Sequence, residues 1–92
     1  MTKPVRDEEQ IAREHGEAMR LDAAIGKMVM FALGQPAELH RIQVRRLWPD
    51  HYRVNVFVGS DAASAKVAHS YFLQADQAGN VVESTPAITK MY

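Results

Sequence analysis

The chain has 92 residues, with 11 basic and 11 acidic side chains and a formal net charge of zero. That length is enough for one domain, and the charge balance argues against a dedicated nucleic-acid binder that relies on a strong positive field. There is no cysteine, which removes disulfides, thiolate nucleophiles and Cys-based metal sites together. A chain this short buries only about 60–65% of its unfolded surface, which favours an oligomer. Absent cysteine fits a reducing compartment. The start, MTKPVRDEEQ, is polar and holds no hydrophobic segment for a secretory signal. The expected location is therefore cytoplasmic.

Met1 to Arg6 reads as a short leader that Pro4 keeps out of the following helix. Asp7 is a good N-cap, and Gln10 three residues later completes a capping box. Glu8 and Glu9 put negative charge in the first turn, where the helix dipole favours it. Ile11, His15, Ala18, Asp22, Ile25, Val29 and Ala32 follow the three-four spacing of one helical face. Leu21, Ala24, Met28 and Phe31 lie beside that stripe. Gly34 offers a left-handed C-terminal position and Pro36 forbids continuation. The spacing thus predicts a helix over residues 8–33, about 39 Å long.

Its two halves differ. The first is charged nearly all round, through Glu8, Glu9, Arg13, Glu14, Glu17 and Arg20, and the second is apolar nearly all round. One sheet covers one face of such a helix, so Leu21, Met28 and Phe31 become the candidate interface with another subunit or another protein. The competing reading has loops of the same chain cover them. Ala18 to Leu33 is too short and too charged for a membrane span, about 16 residues against the ~20 required. Gly16 marks close packing or a bend, and Gly26 a close approach of another backbone.

Residues 38–85 read as an antiparallel sheet. Over Leu39 to Trp48, Ile42 and Val44 alternate with Arg41, Gln43 and Arg45. The alternation slips at Arg45-Arg46-Leu47, where a β-bulge would return Leu47 to the core side. Trp48-Pro49-Asp50-His51 is a turn. In the next strand Tyr52, Val54, Val56 and Val58 face one way, and Arg53, Asn55 and Phe57 the other. Residues 59–65 form a loop in which Ser60 or Asp61 would cap a short helix. Over Lys66 to Ala75, Val67, His69, Tyr71 and Leu73 fit one strand face and Ala63, Val67, Ser70 and Tyr71 a helix face, and the Tyr-Phe-Leu run favours a strand. Residues 76–80 are a turn, 81–83 are extended, and Pro86 ends the strand or sets it at an edge. Ile88 and Met91, in a tail over 86–92, add a last edge contact.

The polar face of the first hairpin collects basic charge, from Arg41, Arg45, Arg46 and Arg53 with His40 and His51, against Asp50 alone. Arg41, Arg45 and Arg53, with Phe57 in the same alternation class, resemble the charged track and stacking platform of single-stranded nucleic-acid binders. The plainer reading is a solvated face with edge arginines that discourage strand addition, and the zero net charge favours it. The acidic half of the helix would also complement this basic face, within a subunit or across a dimer.

Chemistry is sparse. His15, His40, His51 and His69 make no local metal pair. His15 and Asp22 share a helix face two turns apart, so they mark a possible pocket for a small ligand between helix and sheet. His69 and Ser70 are neighbours on a strand and point to opposite faces. No nucleophile elbow and no phosphate-binding glycine loop occur. No catalytic residue, metal or cofactor is therefore assigned, and an enzyme is not expected. The expected fold is α+β, with one long N-terminal helix packed on a curled antiparallel meander of three to four strands. The expected function is a small cytoplasmic protein-interaction module, homodimeric through Leu21, Met28 and Phe31. A nucleic-acid accessory protein ranks second and a ligand-binding domain third.

Overall fold

The computed structural model describes residues 8–92, with the backbone alone described at residues 9–11. The expected leader Met1 to Arg6, the Asp7–Gln10 capping box, the Glu9 side chain and the place of Ile11 on the apolar stripe lie outside the described residues. The order is one helix, α1 (Glu8–Leu33), then β1 (Leu39–Trp48), β2 (His51–Val58), β3 (Lys66–Ala75) and β4 (Val81–Thr85). The four strands form one antiparallel meander in the order β1-β2-β3-β4. This is the expected α+β arrangement, with four strands and an unambiguous strand at Lys66–Ala75. No helix among the described residues is long and apolar enough to cross a membrane.

One stripe of α1 makes the core. Ile25, Val29 and Leu33 are fully buried against Tyr52, Val54 and Val56 of β2 and Tyr71, Leu73 and Ala75 of β3. Leu21, Met30, Ile42, Val44, Val81 and Ile88 pack around them. Each fully buried aliphatic side chain contributes about 1.5–3 kcal/mol by leaving water. Gly34 takes the expected left-handed conformation at φ 87° and donates to the Met30 carbonyl at 2.8 Å. The tail then returns. Met91 N–H and Tyr92 N–H both donate to the Leu33 carbonyl, at 2.8 and 3.2 Å, so the chain end caps the helix end.

The helix outruns the sheet. It is about 39 Å long, whereas strands of eight to ten residues span about 26–33 Å. Residues 12–15 and 17–20 are exposed, and the molecule measures 55 × 31 × 17 Å. This overturns the place given to His15 on the core stripe: it is exposed, because the sheet does not reach it.

Several local expectations are corrected. The bulge at the end of β1 is present, between Arg46 and Trp48, but Leu47 stays 44% exposed. Gly26 meets the side chains of Ile42 and Val44 at 3.8 and 3.9 Å, not another backbone. Gly16 has nothing within 4 Å, so close packing does not account for it. A bulge between Val56 and Phe57 in the β2–β3 ladder leaves Val67 exposed. Ser64 N–H does donate to Asp61 Oδ1 at 2.9 Å, but as a turn with no helix behind it. Ile88 joins the core, whereas the Met91 side chain is exposed.

The turn between β3 and β4 locks the sheet to the helix. Asp76 Oδ1 accepts from Ala78 N–H and Asn80 N–H, both at 2.9 Å, and Asp76 Oδ2 from Asn80 Nδ2 at 3.1 Å. These bonds, the backbone N–H of Asn80 first, hold the Asp76 carboxyl below its ordinary value. Gly79 has φ 86°, and a Cβ there would sit 2.6 Å from the Ala24 Cβ.

Two glycines therefore predict opposite effects in urea denaturation. Gly79→Ala is expected to lose about 2 kcal/mol or more, from left-handed strain plus overpacking. Gly16→Ala is expected to gain up to about 1 kcal/mol, because an open helical position rewards Ala. Asp76 predicts a pH effect. Its folded value is depressed, so its contribution is present above the unfolded carboxylate range and is lost as pH falls through the folded value. The wild-type urea midpoint should fall below about pH 4, and fall less in Asp76→Ala.

Candidate functional site

α1 covers one face of the sheet, and among the described residues no element covers the other, which is bare in that sense. Its side chains follow from the register. Arg41 pairs with Phe57, Gln43 with Asn55, and Arg45 with Arg53 across β1 and β2. Asn55 pairs with Ser70, Arg53 with Phe72 and His51 with Gln74 across β2 and β3. All belong to the alternation class opposite the buried Val54, Val56, Tyr71 and Leu73.

Aromatic rings gather at one end of this face. Trp48 stacks on His51 with centroids 4.8 Å apart, and Phe72 lies 5.6 Å from Trp48 and 5.8 Å from His51. Trp48 is 51% exposed. The Arg53 guanidinium lies 5.9 Å from the Phe72 centroid, and that of Arg41 4.8 Å from the Phe57 centroid. Between the two ring groups runs a polar row. Arg53 donates to Ser70 Oγ (3.4 Å), Ser70 to Asn55 Oδ1 (2.6 Å) and Asn55 Nδ2 to Gln43 Oε1 (3.3 Å). The row fixes the rotamers that frame the arginines.

Arg45 directly opposite Arg53 is an unfavourable cross-strand pair, costing a fraction of 1 kcal/mol. An anion on the face relieves it. Flat rings with guanidinium groups beside them can stack a planar ligand and neutralise its charge.

Each expected site residue has a definite place. Arg41, Arg45, Arg53 and Phe57 come together on the bare face as read from the sequence. Arg46 does not join them. Its Cα pairs with buried Tyr52, on the helix side. Leu21, Met28 and Phe31 are split. Leu21 packs against the core, whereas Met28 is 40% and Phe31 84% exposed. Leu21 is drawn in because the β3–β4 turn closes over it, with Gly79 near its Cδ1. His15 and Asp22 do not form a shared pocket. Asp22 is half-buried and lines a groove with Gly26, Met30, Ile42 and Val44, without His15. Burial raises the Asp22 carboxyl from its ordinary value, and Arg46 partly offsets that.

His69 and Ser70 point to opposite faces. Ser70 joins the polar row, while His69 Nε2 meets the Tyr92 hydroxyl at 2.8 Å. Among the described residues no cluster of three His, Asp or Glu side chains is placed to hold a metal ion.

Sequence reasoning missed Trp48 and Phe72, and counted His51 only among the basic side chains of this face. The signal for Phe72 was present, since inward Tyr71 and Leu73 force it outward. Trp48 and His51 were read as turn residues, and only the bulge at Leu47 aims Trp48 at this face. The chain matches no protein-family model, no curated protein and no solved structure.

Proposed function

We infer that the protein is a nucleic-acid-binding accessory protein that holds single-stranded nucleic acid on the bare face of its sheet. The observation that carries this reading is the like-charge pair Arg45–Arg53 beside the Trp48–His51–Phe72 ring cluster. Bases stack on the rings, and the phosphates beside them take the guanidinium groups. The zero net charge does not count against this arrangement. The acidic half of α1 projects beyond the sheet, and charges separated by more than about 8 Å are screened at physiological salt. The face then carries its own local field.

A second reading rests on Phe31. An 84% exposed phenylalanine beside a 40% exposed Met28 supports an interaction module that forms a homodimer through this side of α1. The Val82 side chain, 65% exposed on the adjacent edge strand, widens that apolar patch. Leu21 is no longer part of it.

Fluorescence anisotropy with a labelled oligo-dT strand tests the first reading. Binding should weaken with salt, with a logarithmic slope of about 2 for three phosphates at roughly 0.7 each. Phe72→Ala should weaken it about five- to a hundredfold, the usual worth of one base stack. A flat salt response, or equal binding by Phe72→Ala, would overturn the assignment. Sedimentation velocity tests the second reading. Wild type should sediment as a dimer and Met28→Glu as a monomer, and a dimer unchanged by the charge removes the helix face from the interface.

A further inference from the structure

The molecule has another concavity, on the opposite side from the bare face. It opens where the projecting half of α1 leaves the sheet, between the helix, the β1–β2 hairpin and the β3–β4 turn. Its volume is about 970 Å3, at the upper end of ordinary ligand sites. Leu21 and Ala24 form an apolar wall, Glu14, Glu17 and Asp50 supply carboxylates, Arg20 adds a guanidinium from the helix, and Arg46 and Tyr52 lie on the sheet side.

Tyr52 is the informative group. The residue is 1% exposed, among the most buried in the chain. Yet no hydrogen bond ties its hydroxyl to any described residue. Among the described residues no fully buried side-chain oxygen or nitrogen lacks a partner. The hydroxyl therefore keeps the residual access to water that the side chain has, and that access lies in the cavity Tyr52 lines. A tyrosine with a fully buried ring and a free hydroxyl at a cavity floor is a donor held ready for a ligand.

The charges around it select the ligand's chemistry. Arg46, whose Cα pairs with that of Tyr52 and which lines the same cavity, adds a second donor suited to a carboxylate. Asp50 and Glu17 at the same cavity accept an ammonium group. A simple carboxylate would meet Asp50 and Glu17 as like charges, and a simple amine would meet Arg46. A molecule with both groups satisfies both, and its apolar part rests on Leu21 and Ala24. Burial, ahead of the opposing influence of Arg46, pushes the Tyr52 phenol above its ordinary value, so it stays protonated and donating at neutral pH.

We propose that this cavity binds a small zwitterion of the α-amino-acid class, with its carboxylate on Arg46 and the Tyr52 hydroxyl and its ammonium group on Asp50 and Glu17. The site shares no residue with the bare sheet face, so it stands or falls independently of nucleic-acid binding.

The test is saturation-transfer NMR and isothermal titration of the full chain with the common L-amino acids, with propionate and propylamine as single-charge probes. At least one amino acid should bind, and bind at least about tenfold more tightly than either single-charge probe. Tyr52→Phe removes a hydroxyl with no partner among the described residues, so its melting temperature should stay at the wild-type value. Its affinity should drop about tenfold or more, the worth of one hydrogen bond to a charged group. Arg46→Gln, at an exposed position, should do the same and serves if Tyr52→Phe folds poorly. No binding across the panel, equal binding of propionate or propylamine, or amino-acid binding undiminished in either variant would overturn the proposal.

Discussion

Everything in this molecule depends on the contact between Ile25, Val29 and Leu33 and the central pair of strands. Those three residues are one helical stripe, and Tyr52, Val54, Val56, Tyr71 and Leu73 are the inward positions of β2 and β3. The helix presents one stripe, and the meander presents one apolar face. Burying each against the other gives two layers and no more. The outer face of the sheet is left uncovered for that reason, since the described residues hold no second helix to lie on it.

The same contact sets the charge distribution. The apolar half of α1 is spent on the sheet, so the acidic half overhangs it. Arg41, Arg45 and Arg53 alternate with inward Ile42, Val44 and Val54, so they lie on the face away from the helix, whereas Arg46 lies on the helix side. A neutral chain becomes a molecule with an acidic arm and a basic sheet surface. Net charge, a sum over the whole sequence, hides this separation, and short-range electrostatics at physiological salt respond to the separation.

The overhang also creates the concavity around Tyr52. A helix ending at the rim of the sheet would leave that ring at the surface or bury its hydroxyl against a partner. Here the turn carrying Gly79 leans on Ala24 and Leu21, and its Gln77 and Ala78 line with Tyr52 the space under the arm. Leu21 is consumed by this contact. That is why the apolar patch read along one side of the helix shrinks to Met28, Phe31 and their neighbours on β4.

Much of the fold was legible in the sequence. Gly34 and Pro36 bounded the helix at its C-terminal end, and alternation in Ile42–Val44 and Tyr52–Val58 defined the hairpin with its inward and outward sides. Arg41, Arg45, Arg53 and Phe57 could be placed on one face because a strand's period of two needs only local information. What sequence could not supply were quantities that depend on distance between elements. Where the sheet stops along the helix decided that His15 is exposed and that Asp22 lines a groove without it. Two bulges decided that Leu47 and Val67 stay out and that Trp48 joins His51 and Phe72. A bulge shifts register by one residue, and the residue that absorbs it is chosen by packing across strands. Local pattern thus determined the elements and their faces, while tertiary packing alone decided which faces meet, which remain bare, and where the hydroxyl of the otherwise buried Tyr52 looks out.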